Sequence, residues 1–79
     1  MPVAYVLVKI EVGQEKQALE TIKKLVGVTS IAFTYGVYDL HFEVKFDTME
    51  ELDEFLFEKI RRVSGIKETV TLVVASKGV

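Results

Sequence analysis

Cysteine, tryptophan and asparagine are absent from this 79-residue chain, and histidine and proline each occur once. Without cysteine there can be no disulfide framework, no thiolate zinc site and no cysteine nucleophile. No apolar run approaches the roughly 20 residues of a membrane span, and no basic stretch precedes the first apolar segment, so nothing reads as a secretory signal. These absences predict a soluble, cytoplasmic chain with no membrane partner. A surplus of positive charge is also missing: 10 Lys and Arg face 12 Asp and Glu, a net charge of -2. Neutralising phosphates takes clustered cations, so direct binding of nucleic acid is not expected. What remains, 49% hydrophobic and 28% charged residues, is the composition of an ordinary folded protein, and the length suits one domain over residues 1–79 with one modest core.

Within that domain the hydrophobic period changes several times. Ala4 to Val12 alternates, with Ala4, Val6, Val8 and Ile10 on one face and Tyr5, Leu7, Lys9 and Glu11 on the other, which predicts a strand. From Gln14 to Val26 the apolar residues Ala18, Leu19, Ile22, Leu25 and Val26 recur at helical spacing, and Gly27 follows as a stop. Val28 to Thr34 and Leu40 to Phe46 read as two strands joined through Tyr35-Gly36-Val37-Tyr38-Asp39, a β-hairpin. Thr48-Met49-Glu50-Glu51 fits a capping box opening a second helix, with Leu52, Phe55, Leu56, Ile60 and Val63 as its buried stripe and Gly65 as its stop. Ile66 to Ser76, rich in β-branched residues, closes the series as a last strand.

The resulting order, β-α-β-β-α-β, contains a repeat. Lys23-Lys24-Leu25-Val26-Gly27-Val28 matches Arg61-Arg62-Val63-Ser64-Gly65-Ile66 at an offset of 61 − 23 = 38, and the same offset pairs Val6 with Val44, Leu19 with Phe57 and Ile22 with Ile60. Two copies of one unit predict an α+β, ferredoxin-like fold, a four-stranded antiparallel sheet with both helices on one face. The other face then has no cover. Tyr5 and Leu7, with Phe33 and Tyr35 or their neighbours, are expected there among Lys9, Glu11, His41 and Glu43. An apolar patch with a charged rim suits self-association.

Candidate sites are few. Asp39, beside Tyr38 and Gly36, offers an acceptor-only anchor for an ammonium group, with backbone N–H groups near Gly36 for a carboxylate, the two demands of an α-amino acid. Asp39 also reads as a turn residue bonded to its own backbone, a common role and the one that the residues alone favour; both stay open. His41 would need Glu43 and Glu11 to converge on it for a metal site, and a histidine facing solvent or an interface is the expectation, with no metal and no cofactor. No Ser or Thr has an identifiable histidine base and there is no glycine-rich phosphate loop, so no catalytic residue is assigned.

Several segments together resemble one family. Ala4-Tyr5-Val6-Leu7-Val8, Leu25-Val26-Gly27-Val28, Tyr35-Gly36-Val37-Tyr38-Asp39-Leu40, Met49-Glu50-Glu51-Leu52, Val63-Ser64-Gly65-Ile66 and Thr69-Val70-Thr71 follow the order seen in the ligand-binding (RAM) domain of the Lrp/AsnC transcription regulators. The resemblance implies a domain that pairs sheet to sheet into a homodimer, with further assembly into octamers or decamers. It also implies a small effector, commonly an amino acid, held between subunits by Gly36, Tyr38 and Asp39, with Thr71, Leu72 and Val73 from the last strand. Members of that family carry a helix-turn-helix domain, which this sequence does not show. It resembles a stand-alone RAM module that senses a small molecule, partners full-length regulators of the family, or both. A small enzyme of the dimeric α+β barrel type is the competing reading of the same architecture.

Overall fold

The computed structural model describes residues 1–76 and Gly78. Its elements run β1 (Val3–Ile10), α1 (Glu15–Ile22), β2 (Val28–Phe33), β3 (Leu40–Lys45), α2 (Met49–Glu54) and β4 (Ile66–Val73). Between α2 and β4 the helix continues as a π-helical turn, Phe55–Lys59, and a 3-10 turn, Ile60–Arg62. The four strands form one antiparallel sheet in the order β2-β3-β1-β4, the ferredoxin-like arrangement that the repeat predicts.

Alternation along the two central strands decides where the core lies. Ala4, Val6, Val8 and Ile10 of β1 and Leu40, Phe42 and Val44 of β3 are buried beneath Ala18 and Ile22 of α1 and Leu52, Phe55 and Ile60 of the second helical segment. Phe42 meets Phe55 edge to face, with ring centres 6.1 Å apart, and Phe46 lies against the same ring at 5.5 Å. Thr48 opens α2 with a full capping box: its hydroxyl accepts from the Glu51 N–H, and the Glu51 carboxylate accepts from the Thr48 N–H, both at 3.2 Å.

Several boundaries differ from expectation, each for a local reason. β1 ends at Ile10, because the Glu11 N–H turns away to the Gly65 carbonyl at 2.7 Å. α1 ends at Ile22; Lys24 and Leu25 then donate to Thr21 and Ile22, three residues back. This tightened exit leaves Leu25 half-buried and puts Val26 out in solvent, 85% exposed, so Val26 is not part of the buried stripe. β4 stops at Val73 instead of Ser76. In β2 a bulge lies between Val28 and Ser30, after which Ser30 stands opposite Glu43, Ala32 opposite His41, and Phe33 opposite Leu40. The extra residue changes the faces. Phe33 shares the helix-covered side with Leu40, and its neighbours Ala32 and Ser30 take the open side.

The repeat is less regular than one offset. Gly65 follows Gly27 by 38 residues (65 − 27), but the helix cap Thr48 follows the cap Gln14 by only 34 (48 − 14). The pairing of Val6 with Val44 is therefore superseded. At the offset of 34 the buried residues Val6, Val8 and Ile10 correspond to the buried Leu40, Phe42 and Val44. The second half holds four more residues between its helix cap and its glycine, the stretch in which the π-helical turn lies. Four residues exceed one α-turn of about 3.6 by a fraction, and a wider turn absorbs such an excess.

Gly27 is the tightest point of the chain. Its φ is +100°, and a Cβ there would overlap the Phe46 ring. Gly36, at φ +110°, has open space around it. Gly27→Ala should therefore cost roughly 2–4 kcal/mol, left-handed strain plus a displaced ring, and Gly36→Ala only about 1–2 kcal/mol of strain. Urea denaturation of both variants measures the difference; equal losses would show that the Phe46 contact contributes nothing.

Candidate functional site

The site grows out of how β2 hands over to β3. The mouth of the hairpin is closed at Thr34, whose N–H donates to the Asp39 carbonyl at 2.9 Å and whose hydroxyl donates to the Tyr38 carbonyl at 2.8 Å. Tyr35, Gly36 and Val37 project beyond it, exposed. Among the described residues the N–H groups of Gly36 and Val37 donate to no carbonyl, so they are available to an anionic group.

Asp39 does more than turn the chain. Its own N–H donates to the Val8 carbonyl at 2.9 Å. Its carboxylate Oδ2 accepts the N–H of Ile10 at 2.8 Å, past Val8 and Leu40, the last paired residues of β1 and β3. A side-chain oxygen thus stands where the next carbonyl of β3 would be, and the Tyr38 carbonyl is released to Thr34. The reading of Asp39 as a turn residue is modified: its side chain binds backbone, but that of β1 and not of its own turn. Oδ1 has no partner among the described residues.

Tyr38 reaches the other way. Lys9 Nζ lies 5.6 Å from the centre of its ring, within cation–π range, and its hydroxyl makes a long 3.5 Å contact with Glu68. Lys9 and Glu68 stand opposite each other on β1 and β4, on the face that the helices leave open. Lys9, Glu68 and Thr34 were not singled out from the sequence as site residues. Lys9 was legible as an open-face residue, but its pairing with Glu68 rests on the β1–β4 register, which no local pattern carries.

Further along, the open face is apolar. Tyr5 stands opposite Leu72 and Leu7 opposite Val70; Tyr5 is 37% and Leu72 52% exposed. His41, half-buried, stands between Leu7 and Ala32. Glu43 receives the Thr29 hydroxyl, and Glu11 has left the strand. Among the described residues no group of three His, Asp or Glu side chains could hold a metal ion.

The six candidate ligand residues fall into two groups. Gly36, Tyr38 and Asp39 lie at the hairpin end of β1; Thr71, Leu72 and Val73 pair with Val6, Tyr5 and Ala4 toward its other end. Ile10 and Ala4 are six residues apart, about 20 Å along a strand, so one chain does not bring the groups together. Leu72 is on the open face, whereas Thr71 and Val73 are on the helix side of the edge strand.

The geometry is that of an antiparallel α+β sheet with one bare apolar face and a polar hairpin cluster at its end. The family model of the Lrp/AsnC ligand binding domain matches residues 3–77, and the chain belongs to that family. It is 31% identical over 74 residues to the uncharacterized HTH-type transcriptional regulator PH0140 of Pyrococcus horikoshii, covering 94% of this chain and 47% of that protein. The crystal structure of FFRP-DM1 matches with a TM-score of 0.89 and 34% identity, covering 94% of this chain and 99% of that one. The complex of transcriptional regulator NMB0573 from Neisseria meningitidis with L-Met shares the fold at a TM-score of 0.82 and 17% identity, over 96% of this chain and 51% of that one. The chain spans about half the length of the transcriptional regulators it matches. Among the described residues no helix is long and apolar enough to cross a membrane.

Asp39→Ala removes the acceptor of the Ile10 N–H and should lower stability by roughly 1.5–3 kcal/mol, the range of a hydrogen bond to a charged group. Asp39→Asn keeps an acceptor and should lose less than about 1 kcal/mol. Amide exchange at Ile10 reports the same order, fast in the alanine variant and protected in the asparagine one; protection in both would remove this role from Asp39.

Proposed function

We propose that this domain is an oligomeric regulatory module that binds an amino acid and serves transcription control, without catalysis and without reading DNA itself. The observation that carries the reading is the uncovered sheet face, apolar at Tyr5, Leu7, Val70 and Leu72 and ending at Tyr38, with Asp39 beside it. A second copy stacked on this face about a twofold axis running across the strands would lay the hairpin end of one sheet over the far end of the other. Leu72 of one copy would then meet Tyr38 and Asp39 of its neighbour, with Thr71 and Val73 along the outer edge. In that cleft Asp39 Oδ1 receives an ammonium group and the N–H groups at Gly36 and Val37 receive a carboxylate.

Family membership supports the regulatory part, and the L-Met complex of a structural neighbour supports an amino acid as the class of ligand. The relatives named as transcriptional regulators support a role in regulation over one in catalysis. The net charge of -2 favours partnership with DNA-binding members of the family over direct contact with DNA. Such dimers are expected to build octamers or decamers.

Thermal unfolding against a panel of the common amino acids tests the reading. At 100 times the dissociation constant the cognate ligand should add about 2.7 kcal/mol, a rise of about 10 °C or more for a domain this small. Asp39→Ala should lose the rise and keep the dimer. Leu7→Asp on the open face should give a monomer by light scattering and lose the rise as well. A monomeric parent protein would sink the stacked arrangement. A panel without any effect, beside co-purification with a helix-turn-helix regulator, would leave a non-sensing partner instead.

A further inference from the structure

A second cleft lies on the opposite side of the molecule, between the exit of α1 and the flank of α2. It is a half-open cleft of about 420 Å³, within the range of small-ligand sites. Its floor is apolar and built of Leu25, Phe46 and Phe55, walled by the exposed Val26. The Phe46 ring lies in that floor because Gly27 has no side chain to displace it.

The rim carries two charges of each sign: Lys24 and Lys59, Glu51 and Glu54. None of the four is ion-paired among the described residues; Glu51 uses Oε1 in the capping box. Lys59 reaches this rim through the π-helical turn. In an α-helix, five residues amount to about 500°, which would set Lys59 about 140° around from Glu54. A π-helical turn, about 4.4 residues per turn, reduces the separation to about 50°. The irregularity therefore places a cation on the same face as two carboxylates and an aromatic floor, and π-turns occur frequently at functional sites.

We infer that this cleft is a binding site for a small zwitterion with an apolar body, its anionic group on Lys24 and Lys59 and its cationic group on Glu51 and Glu54. A ligand of one sign would meet a like-charged pair on the rim as well as an opposite one, and a purely apolar one would draw on neither. The site is complete within one chain and does not depend on the reading of the hairpin.

L-phenylalanine is the probe, followed by methyl NMR on protein labelled at leucine and valine. Leu25 and Val26 report on the cleft, Val37 and Leu40 on the hairpin. Saturable shifts at Leu25 and Val26 are expected. Lys59→Ala and Glu54→Gln, both at exposed positions, should each weaken binding about tenfold or more, the loss of one charge-assisted contact. N-acetyl-L-phenylalanine and L-phenylalanine amide, each lacking one charge, should weaken by a similar factor. Asp39→Ala should leave the Leu25 and Val26 shifts unchanged. Still methyls at Leu25 and Val26, or N-acetyl-L-phenylalanine binding as tightly as the free amino acid, would overturn the inference. Shifts confined to Val37 and Leu40 would overturn it while upholding the hairpin site.

Discussion

β1 is paired on both sides, to β3 from Val3 to Val8 and to β4 from Ala4 to Ile10, and every second residue of it lies under the helices. That constraint organises the rest. Val6 and Val8 set the depth of the core, β3 copies their alternation through Phe42 and Leu40, and the two helices are needed to cover one face alone. Among the described residues no element covers the other. The bare face is the remainder of a two-layer fold, apolar at its centre through Tyr5, Leu7, Val70 and Leu72.

Much of this was legible in the sequence because it is local. Alternation in β1 and β3, the helical stripe through Leu52, Phe55 and Ile60, and the capping box at Thr48 and Glu51 all depend on neighbours a few residues away. What escaped depends on pairing between distant strands. The bulge in β2 reassigns Phe33 to the helix side, and only the register against β3 shows it. The π-helical turn is invisible to a stripe that merely asks for apolar residues every three or four positions.

The site was legible in a similar, partial way. Gly36, Tyr38 and Asp39 stood out as chemistry that a plain turn does not need. The partner of Asp39, the N–H of Ile10, lies 29 residues away in sequence and could not be guessed from the turn. The same bond bears on the proposed site: one oxygen fixes the hairpin to the central strand, and the second is thereby held in a defined direction. A group already immobilised loses little further freedom when a ligand arrives, which is the physical content of preorganisation.

The unequal halves of the repeat have a consequence of another kind. A chain made of two near-copies of one unit carries a folding ambiguity, since each helix could dock in the place of the other. Four additional residues, about 6 Å of helix at the α-helical rise, remove it. The longer segment overshoots the bed that α1 occupies, and the shorter one leaves Phe42 and Phe46 without the Phe55 ring. Unequal length and one aromatic ring thereby give the two halves of the repeat a left and a right.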